Sequence, residues 1–153
     1  MIDVFNTKFE LSLRILLILG ASVHKKISID KLVGVDFITV YGKDFYVSEY
    51  NLHGDNDYRF SEYTSRRDMA FQALKSLVLQ GYIVVSCLKS GFYYSITDDG
   101  RTYCDAFSDN YATEYSTIVS KTIQYVETMS DRELFRKINS FSIELLRGGL
   151  LSE

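Results

Sequence analysis

Proline is missing from all 153 residues, where an average composition would supply several. The strongest helix breaker is therefore absent, and long uninterrupted helices are permitted. Cysteine is scarce. Cys87 and Cys104 lack CxxC spacing and fall on an apparent strand and helix, which reads as two small core residues in a reduced compartment. Histidine is limited to His24 and His53, and the chain has neither GxSxG nor a glycine-rich phosphate loop. No nucleophile–base pairing is legible, so an enzyme is not expected and no cofactor is implied. Positive charge is also short: 17 basic against 20 acidic residues give a net charge of -3. That excludes a protein held to nucleic acid by bulk charge alone. No apolar run approaches the roughly 20 residues that span a bilayer. The most apolar stretch, LSLRILLIL at 11–19, contains Arg14 and is preceded by Asp3 and Glu10, where a secretion signal would carry positive charge. The expected location is the cytoplasm, without a membrane partner.

What is present is dense in helix punctuation. Apolar residues make up 46% of the chain and charged residues 24%, enough to bury one good core. Thr7-Lys8-Phe9-Glu10 has capping-box spacing and opens a helix to Leu19 that is apolar on nearly every side, with Glu10 and Arg14 one turn apart. Ser28 caps a second helix carrying Leu32, Val33, Val35, Phe37, Ile38, Val40 and Tyr41, which stops at Gly42. Ser65-Arg66-Arg67-Asp68 resembles another capping box, followed by Ala70, Ala73, Leu74, Leu77 and Val78 at helical spacing and then Gly81. Arg67, Gln72, Lys75 and Ser76 form the polar side of that third helix.

Residues 82–88 and 92–96 are rich in β-branched and aromatic side chains, and Lys89-Ser90-Gly91 between them supplies the turn of a hairpin. Thr97 then caps a helix that runs to about Met129, with Cys104, Phe107, Tyr111, Tyr115, Ile118, Thr122, Tyr125 and Met129 on one stripe. At 1.5 Å per residue that helix would reach roughly 45 Å and project beyond a small core. Ser130 caps a last helix, with Leu134, Ile138, Phe141 and Leu145 on one face and Gly148-Gly149 at its end. The fold class is therefore mainly α with a small β-hairpin. The order of elements is that of a winged helix-turn-helix with a long C-terminal two-helix extension. Residues 1–100 form the core, with a loop inserted at 42–64; residues 101–153 pack on it, making one domain overall.

Candidate sites follow from this layout. In a winged helix the third helix and the wing read DNA, which nominates Arg66, Arg67, Lys75 and Lys89. With Glu62 and Asp68 nearby, residues 61–97 hold only two net positive charges, so such binding would be weak and salt-sensitive. His53, Asp55 and Asp57 invite a metal reading, but a calcium loop begun at Asp55 fails where Arg59, Phe60 and Arg66 replace required residues. No metal is assigned. Residues 98–129 carry six acidic and two basic side chains beside Tyr111 and Tyr115, and tyrosines at a surface are favoured interface anchors. A protein partner or a second copy of the chain fits that helix.

YGKDF (Tyr41 to Phe45), NLHGDN (Asn51 to Asn56), SRRD (Ser65 to Asp68) and KSLVLQGYI (Lys75 to Ile83) together resemble the middle component of bacterial three-component ABC-ATPase defence systems, the Lamassu-type group. The similarity covers about residues 4 to 125, and the last helix matches less distinctly. The resemblance implies a small non-enzymatic adaptor that links an SMC-like, Rad50-like ABC ATPase to an effector such as a nuclease, in an anti-phage or anti-plasmid complex. A DNA-binding winged-helix regulator is the alternative. The resemblance assigns no role to single residues. A loop of about twenty aromatic and charged residues inside a compact domain is usually functional, so residues 42–64 are expected to dock a partner. Lys43, Asp44, Phe45, His53, Asp55, Arg59 and Phe60, with Tyr111 and Tyr115, are the candidate contacts.

Overall fold

The computed structural model describes residues 7–22, 25–54 and 59–151, apart from the side chains of 59–62 and 145–151. Helix α1 (Lys8–Ala21) starts where the Thr7 hydroxyl accepts the Glu10 N–H at 3.1 Å. Strand β1 (Ile27–Ser28) leads directly into α2 (Ile29–Val40), and Ser28 caps that helix through the Lys31 N–H. Every residue of α2 from Leu32 to Val40 is buried, as is nearly all of the second half of α1. Helices apolar on all sides must be wrapped by others. Helices α3 (Arg59–Leu79) and α5 (Asn110–Val126) pack on both, α4 (Asp98–Asp105) on α1, and α6 (Asp131–Leu151) on α2. Full burial of one such aliphatic or aromatic side chain contributes about 1.5–3 kcal/mol, which puts the α1–α2 pair at the centre of the stability.

The sheet has the order β1-β3-β2, antiparallel throughout, with β2 (Ile83–Leu88) and β3 (Gly91–Ile96) forming the hairpin. Gly81, at φ +81°, lets the chain leave α3: its N–H reaches the Val78 carbonyl, and the Tyr82 N–H reaches Leu77. The Thr97 hydroxyl then joins both ends of the hairpin, donating to the Gly81 carbonyl at 2.7 Å and accepting the Gly100 N–H.

Four expectations are corrected. The third helix already runs from Arg59, not Ser65, so residues 59–64 of the expected insert are helical. Tyr63, half-buried with its ring centroid 5.1 Å from that of Phe37, ties the extra turns to α2. The long helix after the hairpin is two helices. Asp109 accepts the Ala112 N–H at 2.7 Å and starts α5 afresh. The break turns α5 back onto α1 and α2, so no 45 Å arm projects. Helix α6 runs through Gly148 and Gly149 to Leu151; a helical glycine costs only about 1 kcal/mol relative to alanine and does not end a helix by itself. Finally, Cys87 is exposed rather than buried, while Cys104 is half-buried under Gly20. The pairing β1–β3, only two residues long, lies below what sequence periodicity reveals.

Candidate docking groove and buried charge cluster

At the centre of the helical layer the carboxylate of Asp36 is fully buried and accepts four hydrogen bonds. Arg14 donates from Nε to Oδ1 at 2.8 Å and from Nη2 to Oδ2 at 3.2 Å. Arg66 donates from Nη1 to Oδ2 at 3.2 Å, and the Tyr115 hydroxyl to Oδ1 at 2.7 Å. Burial alone would push this carboxyl up, but the two guanidiniums outweigh it and hold it at about 2. Burial pushes the Tyr115 phenol well above its ordinary range, and that of Tyr111 to about 12. With helices α1, α2, α3 and α5 each supplying a member, the cluster fixes their mutual register. It is structural: its polar atoms face one another in a buried site.

This geometry reassigns several candidate contacts. Arg66, nominated for DNA, is buried on Asp36 with its guanidinium over the Phe37 ring. Tyr115, nominated as a partner anchor, is fully buried at the same carboxylate. Phe45 is also buried, its ring between Phe37 and Phe141 at centroid distances of 6.0 and 5.0 Å. All three are placed inside because their partners lie on other helices, which one stretch of sequence does not reveal. Arg14 turns inward to Asp36 rather than pairing along its own helix with Glu10.

Over 41–54 the insert is held by its own hydrogen bonds. The carbonyl of Gly42 accepts the N–H groups of Phe45, Val47 and Ser48, and the Asn51 side chain accepts that of Lys43 at 3.0 Å. His53 Nε2 lies 2.7 Å from the Tyr111 hydroxyl, and the two rings stack, so this pair braces the insert against α5. Lys43 is exposed and Asp44 half-buried. Asp55 lies outside the described residues, as do the side chains of Arg59 and Phe60 at the start of α3. The structure thus brings His53 and Tyr111 together, but not the full set in one patch. Among the described residues no group of three or more His, Cys, Asp or Glu is placed to hold a metal ion.

The exposed side of α3 differs from a DNA-reading surface. Arg67 is engaged by Asp30 at 2.9 Å in a pair open to solvent, worth little to stability. Lys75 and Lys89 are exposed. Between them the surface is apolar: Phe71, Leu79, Val85 and Phe92 are each 46–81% exposed. The hairpin register explains why. Ile83 faces Ile96, Val85 faces Tyr94 and Cys87 faces Phe92, and direct partners share one side of the sheet. That side is buried against α3 at Ile83 and Tyr94 and emerges toward the tip at Val85, Cys87 and Phe92. With Phe71, Lys75, Val78 and Leu79 of α3 it encloses a groove of about 330 Å³. Among the described residues that line it, Lys75 is the single charge. Exposed contiguous apolar surface of this kind marks interaction sites.

Phe71 and Leu79 were missed because they fall off the apolar stripe that defines the buried side of α3. Two large apolar residues on a helix's polar side were the available signal. Asp36, a carboxylate in the apolar run from Leu32 to Val40, was another.

A model of the family described as ABC-three component (ABC-3C) system Middle Component 2 matches residues 4–147, extending into α6 and beyond the stretch on which the motif resemblance rests. No curated protein and no solved structure matches the chain.

Proposed function

Because the chain belongs to the ABC-three component (ABC-3C) system Middle Component 2 family, a component of a multi-subunit system, we propose that it is a non-catalytic adaptor. In this reading it links an SMC-like ABC ATPase to an effector, such as a nuclease, within a Lamassu-type anti-phage or anti-plasmid defence complex in the cytoplasm. Its α1–α3 core and hairpin serve as a winged helix turned from nucleic acid to protein.

The observation that carries the reading is the groove between α3 and the hairpin. A duplex-reading helix presents a row of arginines and lysines to phosphates and base edges. Here Arg66 is consumed inside the protein and Arg67 is tied to Asp30. What α3 offers instead is Phe71 and Leu79, beside Phe92 and Val85 of the hairpin. The matching occupant is an amphipathic helix or strand of a partner subunit, with an apolar stripe for the groove and an acidic residue at its edge for Lys75. Aromatic and aliphatic anchors surrounded by a polar rim are the usual energetic centre of such contacts.

The test is reconstitution with the ATPase and effector encoded beside this chain. The adaptor reading expects a complex of all three, and slower maleimide labelling of Cys87 inside it than in the free chain, since Cys87 adjoins Phe92 on the same face. An ATPase–effector complex that assembles and acts equally well without this chain would refute it.

A further inference from the structure

The tip of the insert carries a second surface that shares no residue with the groove. Tyr46 has φ +61°, the only positive value at a non-glycine position among the described residues. L side chains rarely adopt that conformation, which glycine and asparagine fill far more readily. Nothing in the fold rewards a tyrosine there: its side chain is 94% exposed. The conformation is imposed from both sides. Phe45 is 3% exposed and Val47 8%, so both neighbours point inward. The Val47 N–H closes on the Gly42 carbonyl at 2.9 Å and the Tyr46 N–H on that of Lys43 at 3.3 Å. A Cβ on Gly42 would lie 2.8 Å from that of Ser48, so the ring of backbone has no slack. The loop is a rigid mount that holds one aromatic side chain out from the surface, and a strained residue kept in place by its surroundings points to function.

We propose that Tyr46 is a preorganised anchor that enters a pocket on a folded protein subunit, making the insert a docking contact separate from the groove. This rests on the adaptor reading, since a linker must hold two subunits. The backbone beneath the ring is already fixed, so binding sacrifices little loop freedom. Beside it lies a shallow trough of about 620 Å³ between the loop and α5, lined by Tyr46, Val47, Ser48, Glu49, Lys121, Gln124 and Tyr125. Among the described residues that line it, the two charged side chains, Glu49 and Lys121, have opposite signs. A nucleic-acid backbone or an anionic membrane selects a run of positive charge, whereas a tyrosine amid mixed charges matches the rim and anchor of a protein interface.

The test compares Tyr46→Gly and Tyr46→Asn, which relax the backbone and delete the ring, with Tyr46→Phe, which keeps it. Each is measured by thermal melting of the isolated chain and by titration against the purified ATPase and the purified effector. The isolated Gly and Asn variants are expected to melt no lower than wild type. They are expected to lose at least 30-fold in affinity for one of the two subunits and to keep wild-type affinity for the other, with Tyr46→Phe within threefold throughout. Wild-type affinity of Tyr46→Gly for both subunits would overturn this proposal and leave the adaptor reading standing. So would a drop in its melting temperature that accounts for the lost binding. A wild-type chain that binds neither subunit would overturn both. Loss of duplex binding in place of subunit binding would reject a protein partner for Tyr46.

Discussion

Replacing Asp36 by asparagine keeps the shape of the side chain and removes its charge from between two buried guanidiniums. The carboxylate accepts four hydrogen bonds, from Arg14 twice, Arg66 and Tyr115. The amide oxygen cannot serve all of these donors, and the amide nitrogen would turn its own N–H groups toward a guanidinium. Breaking a buried ion pair by removing one partner costs about 3–5 kcal/mol, against a total stability of about 5–15 kcal/mol for an ordinary domain. The pH dependence gives an independent measure. Asp36 titrates near 2 in the folded chain against an ordinary 3.8, so its charge contributes roughly 2 kcal/mol of stability. Because the folded value is the lower one, this contribution is complete above about pH 4 and is lost as pH falls through about 2. Roughly 1 kcal/mol of it is gone by pH 3. Urea unfolding followed by circular dichroism at pH 7 and pH 3 should therefore show Asp36→Asn losing about 3–5 kcal/mol at neutral pH, and the gap to wild type narrowing by about 1 kcal/mol in acid. A neutral-pH loss under about 1 kcal/mol, or a gap indifferent to pH, would refute the reasoning. Replacing the whole cluster, with Arg14→Met, Asp36→Leu, Arg66→Met and Tyr115→Phe together, should be milder than Asp36→Asn alone, because no buried charge remains.

Further expectations concern packing, capping and the surface. In Gly34→Ala the new Cβ would lie 2.6 Å from Leu134 Cδ2. Chemical unfolding should show a loss of about 1–3 kcal/mol, with part of it recovered when Leu134→Ala makes room, as a double-mutant cycle will record. Asp109→Ala removes the cap that separates α5 from α4, and its thermal melt should report about 1 kcal/mol of destabilisation. Phe71→Asp or Leu79→Glu in the groove should change the stability of the free chain by no more than about 0.5 kcal/mol. Either should weaken assembly with the groove's partner by at least about 30-fold, the loss expected for an anchor worth about 2 kcal/mol. For duplex DNA, fluorescence anisotropy across a salt series should give a log–log slope of about -2 or shallower, since Lys75 and Lys89 stand alone among the four nominated cations as exposed and unclaimed by Asp36 or Asp30. A steep slope with tight binding at physiological salt would reinstate the regulator.

Several element ends were legible from local signals. Thr7, Ser28 and Thr97 cap the helices that their spacing announced, and Gly81 ends α3 as expected. The hairpin, too, lies within a residue of its expected bounds. Each is decided by a hydrogen bond or backbone angle within a few residues of the signal. The break at Asp109 was signalled just as locally, by a capping residue inside a long apolar stripe, and the stripe hid it.

The sequence by itself thus determined the order of helices and strands, the apolar character of the two central helices and the family motifs of the insert and third helix. Only the tertiary structure decided which polar residues are structural and which are available. Asp36 meets Arg14, Arg66 and Tyr115 across separations of 22, 30 and 79 residues, and no helical or strand period encodes such distances. The same packing removed Phe45 and Tyr115 from the surface and left Tyr46, Phe71 and Leu79 upon it. Burial depends on what lies across from a side chain, and the chain must fold before that neighbour exists.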